Sequence, residues 1–440
     1  MNSVMNKLLQ SAVRCSRLNC QKKKFLFTSS IDRSEQHASA QFDPSKIKSH
    51  LCNDLRLKIK MSGPISVAEY MKQVLTHPTK GYYISKDVFG SDGDFTTSPE
   101  ISQLFGEMIG VWIIYECHKF HREPFQIVEL GPGRGTLSRD ILRVVKQLKK
   151  SHLVSLHLVE VSPVLAEIQR KTLCPSESTD DVNDSGKYYK RGKTPDNVEV
   201  FWYKSILDIP EGFSVFVAQE FFDALPIHKF QKTKDGWFEL LVDIDPARAS
   251  EEKFRFVLSN TSACDALIDK DEKREHVEIS LEAMNVIRYI STAITQNGGF
   301  SLIIDYGHSG DRTDTFRAFR QHQQCDPLSE PGTADLTADV DFSLLQKVAQ
   351  QSHDLLCFGP VTQRDFLIEL GINMRLAKLC QTASKKEMKQ LELGYKKIIG
   401  EDEMGNCFKV VSMFPRVLEE FLQKSPVSGF KTHGLEESKQ

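Results

Sequence analysis

Residues 127–137 read Ile127-Val128-Glu129-Leu130-Gly131-Pro132-Gly133-Arg134-Gly135-Thr136-Leu137. Two β-branched residues, an acid and a leucine run into three glycines at alternate positions. Apolar residues then recur at Leu137, Ile141, Val144, Val145 and Leu148, the spacing of an amphipathic helix. A buried strand, a tight turn and a helix in that order make the first β–α unit of a doubly wound α/β sheet. Glycines in the turn let the backbone approach a ligand where a Cβ would stand in the way. The helix start offers free N–H groups to an anionic or carboxylate-bearing group.

The spacing narrows the ligand. The dinucleotide fingerprint is G-x-G-x-x-G. Here the third glycine comes one residue early, and Thr136 stands where the dinucleotide glycine belongs. Glu129 puts a negative charge at the strand end, which repels a pyrophosphate and attracts a ligand with sulfonium and ammonium groups. The run E-L-G-x-G-x-G resembles the first motif of class I S-adenosyl-L-methionine (SAM) methyltransferases. That resemblance implies SAM as cofactor, with Glu129, Gly131, Pro132, Gly133 and Gly135 around it. A second strand, Leu156 to Val161, carries an acid at its end. Glu160 there can accept both ribose hydroxyls of an adenosine, with Val161 beside it. NAD enzymes use the same device, so Glu160 indicates adenosine rather than SAM in particular. A third strand fits Val198 to Trp202. Ser205-Ile206-Leu207-Asp208 then falls where such enzymes hold adenine, which makes Ile206 and Asp208 further candidates.

A net charge of −2 gives no electrostatic case for nucleic acid or an anionic membrane. No apolar run reaches the roughly 18 residues that a membrane span requires. The N-terminal stretch differs from the rest: Lys7, Arg14, Arg17, Lys22, Lys23 and Lys24 precede the first acid, Asp32, with serines between them. Residues 1–34 therefore read as a mitochondrial transit peptide rather than as part of the fold. The ten cysteines are scattered, with no C-x-x-C pair and no metal-ligand spacing with histidine, so no metal is expected.

Residues 46–124 read as an N-terminal helical region. Ser98-Pro99 looks like a capping hydroxyl and a first-turn proline, opening a helix from about Glu100 to His118. The Gly90–Thr97 loop before it could close over a cofactor. The methyltransferase core is expected in 125–227, 279–310 and 406–416. Within it, Ser214 to Ala218, Gly299 to Gly307 and Phe408 to Phe414 read as strands. The polar stretch 174–197 reads as a mobile insertion. A hairpin turning at Lys234-Asp235-Gly236 marks 228–278 as an insertion. Val277 to Ile294 reads as a helix, 311–405 as a cap facing the substrate, and 426–440 as a disordered tail.

Ligands of open α/β sheets bind beyond the carboxyl ends of the strands. One strand delivers Gln219-Glu220-Phe221-Phe222-Asp223-Ala224-Leu225-Pro226 to that edge, and another delivers Asp305-Tyr306-Gly307-His308. The bland reading of Glu220 and Asp223 is a helix start whose acids favour the dipole. Taken with Gly93-Asp94-Phe95, Ser98-Pro99-Glu100-Ile101-Ser102-Gln103 and the long run from Pro331 to Phe342, these stretches resemble the MidA family over roughly residues 60–415. Bacterial relatives tend to carry asparagine where this chain has Gln219, so Gln219 is assigned no role.

The resemblance implies a protein arginine methyltransferase of the mitochondrial matrix. Its implied act is dimethylation of an arginine on the 49-kDa core subunit of complex I, needed for complex I assembly. It also makes Pro331–Phe342 a substrate-facing element. Guanidinium is a poor nucleophile, delocalised and always protonated. A carboxylate pair can align it and take up its proton, so Glu220 and Asp223 are the catalytic candidates, with Asp305 in reserve. Two alternatives come from other classes: a SAM-binding assembly chaperone with little catalysis, and a NAD-dependent oxidoreductase, which the glycine spacing and Glu129 disfavour.

Overall fold

A computed structural model describes residues 44–85, 96–120, 123–175, 180–181, 187–247, 253–352 and 355–430. The basic leader and Gly93-Asp94-Phe95 lie outside them. The first part holds α1 (Pro44–Ser62), β1 (Ile65–Ser66), α2 (Val67–Thr76), α3 (Tyr82–Ser85), α4 (Ser98–Ile101) and α5 (Gln103–Lys119). Then come β2 (Phe125–Leu130), α6 (Thr136–Gln147), β3 (Val154–Val159), α7 (Pro163–Leu173), β4 (Asp180–Asp181), β5 (Lys190–Lys193), β6 (Glu199–Tyr203) and β7 (Ser214–Gln219). Next are β8 (His228–Thr233), β9 (Gly236–Ile244), β10 (Phe254–Ser259), α8 (Ser262–Leu267), β11 (His276–Ile279), α9 (Leu281–Asn297) and β12 (Gly299–His308). After these lie β13 (Arg317–Arg320), β14 (Gln323–Cys325), β15 (Asp335–Thr337), β16 (Val340–Asp341) and α10 (Phe342–Ser352). The chain ends through β17 (Leu355–Thr362), α11 (Gln363–Glu369), α12 (Ile372–Cys380), α13 (Lys385–Ile399), α14 (Met404–Cys407), β18 (Phe408–Pro415) and α15 (Glu419–Lys424).

The main sheet runs β17-β18-β12-β7-β2-β3-β6-β5-β4. From β12 to β6 its strands are parallel, and β18 lies antiparallel between β12 and β17. This is the sheet of the class I methyltransferase fold. Every residue of β7 is buried, as a parallel strand covered on both faces requires, which explains the unbroken apolar run Val215-Phe216-Val217-Ala218. One face packs on α5, α6 and α11, with Trp112 edge-on to Phe300 at 5.4 Å. The other packs on α9 and α10 through Ile287, Ile290, Ile294 and Val348. Strand order reverses between β2 and β7, the switch point where such sheets bind ligands.

Several expectations need correcting. The hairpin at 228–278 is present as β8 and β9, but it belongs to a five-stranded sheet with β1, β10 and β11. A hairpin alone cannot bury its apolar face; α1 and α2 cover this one with Leu51, Leu55, Tyr70 and Met71. Val277 to Ile279 belongs to β11, and helix α9 starts after Ser280, whose Oγ accepts from Ala283 N. The Glu100–His118 helix breaks at Ser102, which is extended and caps α5 instead. Thr97, not Ser98, occupies the N-cap position of α4.

The cap expected over 311–405 is divided. The small sheet β14-β13-β15 stands apart, whereas β17 joins the main sheet beside β18. In the 174–197 stretch, β5 pairs with β6 rather than moving freely; residues 176–179 and 182–186 lie outside the described set. The first residues of the expected tail, 426–430, are part of the fold. Val427 and Phe430 are buried in the main core, and Trp112 Nε1 donates to Ser428 O at 2.8 Å. No described helix is long and apolar enough to cross a membrane, and no disulfide joins any of the eight described cysteines.

Candidate functional site

At the switch point a cavity of about 880 Å³ opens beyond the carboxyl ends of the strands. Its inner wall begins at the glycine turn, where Gly131 and Gly133 have φ of +62° and +54°. A Cβ on Gly131 would lie 2.9 Å from Phe221 Cδ2, so this glycine lets the turn pack against the loop after β7. Gly135 starts α6 and faces Gln169 of α7, away from the cavity lining. Pro132 also lies off the lining; its carbonyl accepts from Gly135 N at 2.8 Å.

Glu160 lines the cavity. Its Oε1 accepts from Ser162 N at 2.7 Å and its Oε2 from Gln169 Nε2 at 2.9 Å. Burial pushes this carboxyl up to about 7. Gln169 also donates to Gly133 O at 2.7 Å and accepts from Trp202 Nε1 at 2.9 Å. One side chain thus joins the glycine turn, Glu160 and β6. Sequence reading missed it because a glutamine within a helix reads as surface; its only signal was its place on the apolar face with Leu165, Ala166 and Leu173.

Val161, Ile206 and Leu207 complete this end, with Val161 50% and Leu207 71% exposed. Asp208 does not reach the lining. Neither does Glu129: its Oε2 accepts from Ser138 Oγ behind the turn, and burial raises it to about 8. At neutral pH it therefore acts as a hydrogen-bonding tie between β2 and α6, not as the charge expected from its position.

The other end is acidic. Glu220 has φ of +52° and does not begin a helix, which removes the helix-start reading; residues 220–227 form an irregular loop. Glu220 Oε1 accepts from Ser98 N at 3.0 Å and Gln219 Nε2 at 2.8 Å. Asp223 Oδ2 accepts from Tyr306 Oη and Thr337 Oγ1, while Asp223 Oδ1 is buried with no hydrogen-bond partner among the described residues. Burial raises Glu220 to about 7 and also raises Asp223. Neither acid, nor Glu160, has an ion-pair partner among the described residues, although four cationic side chains line the same cavity. Lys72 pairs with Glu282, and Arg312 and Arg317 both pair with Asp339.

Asp305 plays a different part from the one expected. Its Oδ2 accepts from the backbone N–H groups of Phe221, Phe222 and Asp223 at 3.0–3.3 Å, and its Oδ1 from Tyr306 N at 2.9 Å. It is off the cavity lining and sets the loop that carries Glu220 and Asp223. Burial, with Asp223 and Glu220 close by, holds it well above the usual carboxylate range. The Pro331–Phe342 run supplies Asp335 and Asp339 to the wall and Thr337 to Asp223. Ser98 and Glu100 tie the loop after β7 to the glycine turn, because Glu100 Oε1 accepts from Thr136 Oγ1.

A family profile described as S-adenosyl-L-methionine-dependent methyltransferase matches residues 108–361, more than half of the chain. A mouse (Mus musculus) protein named protein arginine methyltransferase NDUFAF7, mitochondrial, is 49% identical over 367 residues, 82% of this chain and 83% of its own. The zebrafish (Danio rerio) protein of that name is 47% identical over 398 residues, 88% of this chain and 93% of its own. A solved structure from Burkholderia thailandensis, with S-adenosyl-homocysteine bound, superposes with a TM-score of 0.70. It is 25% identical, with 86% of this chain and 95% of that one covered. The residues present here fit that group. The glycine turn leaves room at the backbone, Glu160 retains acceptor capacity for a diol, and Val161 and Leu207 expose apolar surface that a flat ring would cover. The chain belongs to the MidA family of S-adenosyl-L-methionine-dependent methyltransferases, which includes the mitochondrial protein arginine methyltransferase NDUFAF7.

Proposed function

We propose that this chain methylates an arginine side chain of a protein substrate, with the guanidinium seated between Glu220 and Asp223. The observation that carries this reading is a pair of carboxyls lining the cavity, Asp223 buried and Glu220 half-buried, each with one oxygen held by the protein. Each leaves its second oxygen to a ligand. Two open oxygens on separate carboxyls suit two nitrogens of one planar cation. A guanidinium there would supply the positive charge that these burial-raised acids lack.

SAM, when bound at the glycine turn, supplies an electrophilic methyl group. Asp223 holds one guanidinium nitrogen and turns the other. Glu220 accepts the proton released as the new N–C bond forms, and its pKa of about 7 suits a base working near neutrality. Asp305 keeps both acids in place through the backbone. The loop and the Pro331–Phe342 wall exclude water from the pair. Gly131, Gly133, Glu160, Val161 and Ile206 are the cofactor contacts in this reading.

The finer reading is dimethylation of an arginine on the 49-kDa core subunit of complex I, in the mitochondrial matrix. The family resemblance supports the substrate, and the acid-free basic run before Asp32 supports import. The test supplies methyl-labelled SAM and the recombinant 49-kDa subunit, and maps methylated residues by mass spectrometry. Mono- and dimethylarginine in the wild-type reaction, lost in Glu220→Gln, support the reading. Methyl transfer to lysine alone, or complex I assembly restored fully by Glu220→Gln, overturns it, the latter favouring an assembly chaperone.

A further inference from the structure

We propose that Tyr306 and Thr337 are positioning residues that clamp one oxygen of Asp223 and leave the other as its single open acceptor for the substrate cation. The inference rests on the reading of Asp223 as a ligand of that cation.

Three separate elements meet at this carboxyl. Tyr306, near the end of β12, donates its hydroxyl to Asp223 Oδ2. Thr337, the last residue of β15, lies with Oγ1 2.9 Å from the same oxygen and also meets the tyrosine hydroxyl. Ala338 N donates to the Asp223 carbonyl at 3.1 Å, so the backbone of Asp223 is held from the same side. Two hydroxyls on one carboxylate oxygen leave the second oxygen buried and, among the described residues, bare. A bare acceptor of this kind is costly unless a ligand supplies the donor.

The tyrosine is itself fixed. Its ring stands edge-on to Phe408 at 5.5 Å, and the Arg317 guanidinium lies 5.2 Å from its centre. Its backbone N–H is on Asp305, the residue that holds the loop of Glu220 and Asp223. The dipeptide Asp305-Tyr306 therefore sets both the main chain of that loop and the rotation of one of its acids. Beyond Tyr306 and Thr337, the charged and titratable groups facing Asp223 are Glu220 on its own loop, Asp305 of β12, Arg317 of β13 and Tyr83 of α3. Among the described side chains, only Tyr306 and Thr337 hydrogen-bond the Asp223 carboxyl, so removing either changes the clamp without removing a charge.

A merely space-filling Tyr306 and a clamping one differ in a measurable way. Tyr306→Phe keeps the ring and removes the donor. The test labels aspartate side-chain carboxyl carbons with ¹³C in the full chain bound to S-adenosyl-homocysteine. The Asp223 signal is assigned by its loss in Asp223→Asn. A hydroxyl donor stabilises the ionised form, so its removal should raise the Asp223 midpoint by about one pH unit. Thr337→Val should shift it in the same direction, and Thr337→Ser should restore it. Over the same samples, kcat for methyl transfer to the 49-kDa subunit should fall about tenfold in Tyr306→Phe, with S-adenosyl-homocysteine affinity unchanged. An unmoved midpoint in both Tyr306→Phe and Thr337→Val overturns the clamp. A moved midpoint with wild-type kcat overturns the positioning role. Wild-type transfer by Asp223→Asn instead overturns the reading beneath it, while the midpoints still report on the clamp. If Tyr306→Phe does not fold, the Thr337→Val and Thr337→Ser pair gives the same decision.

Discussion

Gly131→Ala should damage methyl transfer more than its distance from Glu220 and Asp223 in the sequence suggests. At φ of +62° a residue with a Cβ costs about 1–2 kcal/mol in backbone strain. The added carbon would also sit 2.9 Å from Phe221 Cδ2, inside the roughly 3.5–4.0 Å of an ordinary carbon contact. The ring must give way, at about 1–3 kcal/mol for an overpacked site. Together these reach about 2–5 kcal/mol, a fall in Tm of roughly 2–5 °C for a chain of this size. Phe221 directly follows Glu220, and its N–H is one of those held by Asp305. A displaced ring therefore drags the acids, and a shift near 1 Å can cost about a hundredfold in rate. Gly135→Ala is the control. It carries a similar backbone cost at φ of +79°, but its Cβ meets Gln169 at an ordinary 3.5 Å. The assay is single-turnover methyl transfer at saturating SAM beside calorimetric Tm. Gly131→Ala should lose both, and Gly135→Ala mainly Tm. Equal transfer rates in the two variants, at equal loss of Tm, would refute the coupling of the glycine turn to the acidic loop.

Glu220→Gln should abolish the rise of kcat/KM between pH 6 and pH 8 that ionisation near 7 gives the wild type. Transfer should drop about a hundredfold while S-adenosyl-homocysteine affinity stays within a few-fold; a rise that persists in the variant moves the base elsewhere. Glu160→Ala should weaken S-adenosyl-homocysteine binding by about 1–3 kcal/mol in calorimetry; wild-type affinity would take the ribose contact away from β3. Glu129→Gln separates a charge from a structural tie. With a folded pKa near 8 against 4.5 unfolded, Glu129 favours folding at low pH, and that contribution is lost as pH rises from about 4.5 through 8. Denaturant titrations should therefore show the variant gaining on the wild type, by on the order of 2–4 kcal/mol at pH 8 relative to pH 4. Its cofactor affinity should be unchanged; a large loss would restore Glu129 as a ligand.

Strands buried on both faces were easy to read, because they carry unbroken apolar runs: the runs expected at Ile127–Leu130, Ser214–Ala218 and Gly299–Gly307 all fall inside β2, β7 and β12. Glu160 and the Glu220–Asp223 loop were legible for a related reason, since acids just beyond such strands have few structural uses. β17 was not legible. Gly359-Pro360 interrupts it and shifts its register between Phe358 and Val361, so it reads as loop until β18 is beside it. The second sheet escaped because its pairings join β1 to β9 across more than 170 residues, which no local period records. Within the site, the residues missed were those acting on other residues. Gln169, Thr337 and Ser98 are ordinary polar side chains in sequence, and only folding shows which acid or backbone each one holds. Asp305 was found but misread, because a strand-end acid looks the same whether it faces a ligand or its neighbour's N–H groups.

The segment just beyond α15 bears on how such a chain comes to be folded at all. Ser428 accepts from the Trp112 indole and donates to Glu116, across 316 and 312 residues of chain. During synthesis α5 leaves the ribosome long before Ser428 exists. Until that moment Trp112 lacks its Ser428 acceptor and Glu116 is held by Lys119 of its own helix alone, in a helix that packs against the central sheet. A nascent chain can assemble its glycine turn early, yet this helix is completed only by residues more than 300 positions further along. Contacts this distant in sequence slow folding and lengthen the time that apolar surface stays uncovered. A chain cut short of residue 426 therefore carries every residue of the site and an unclosed core.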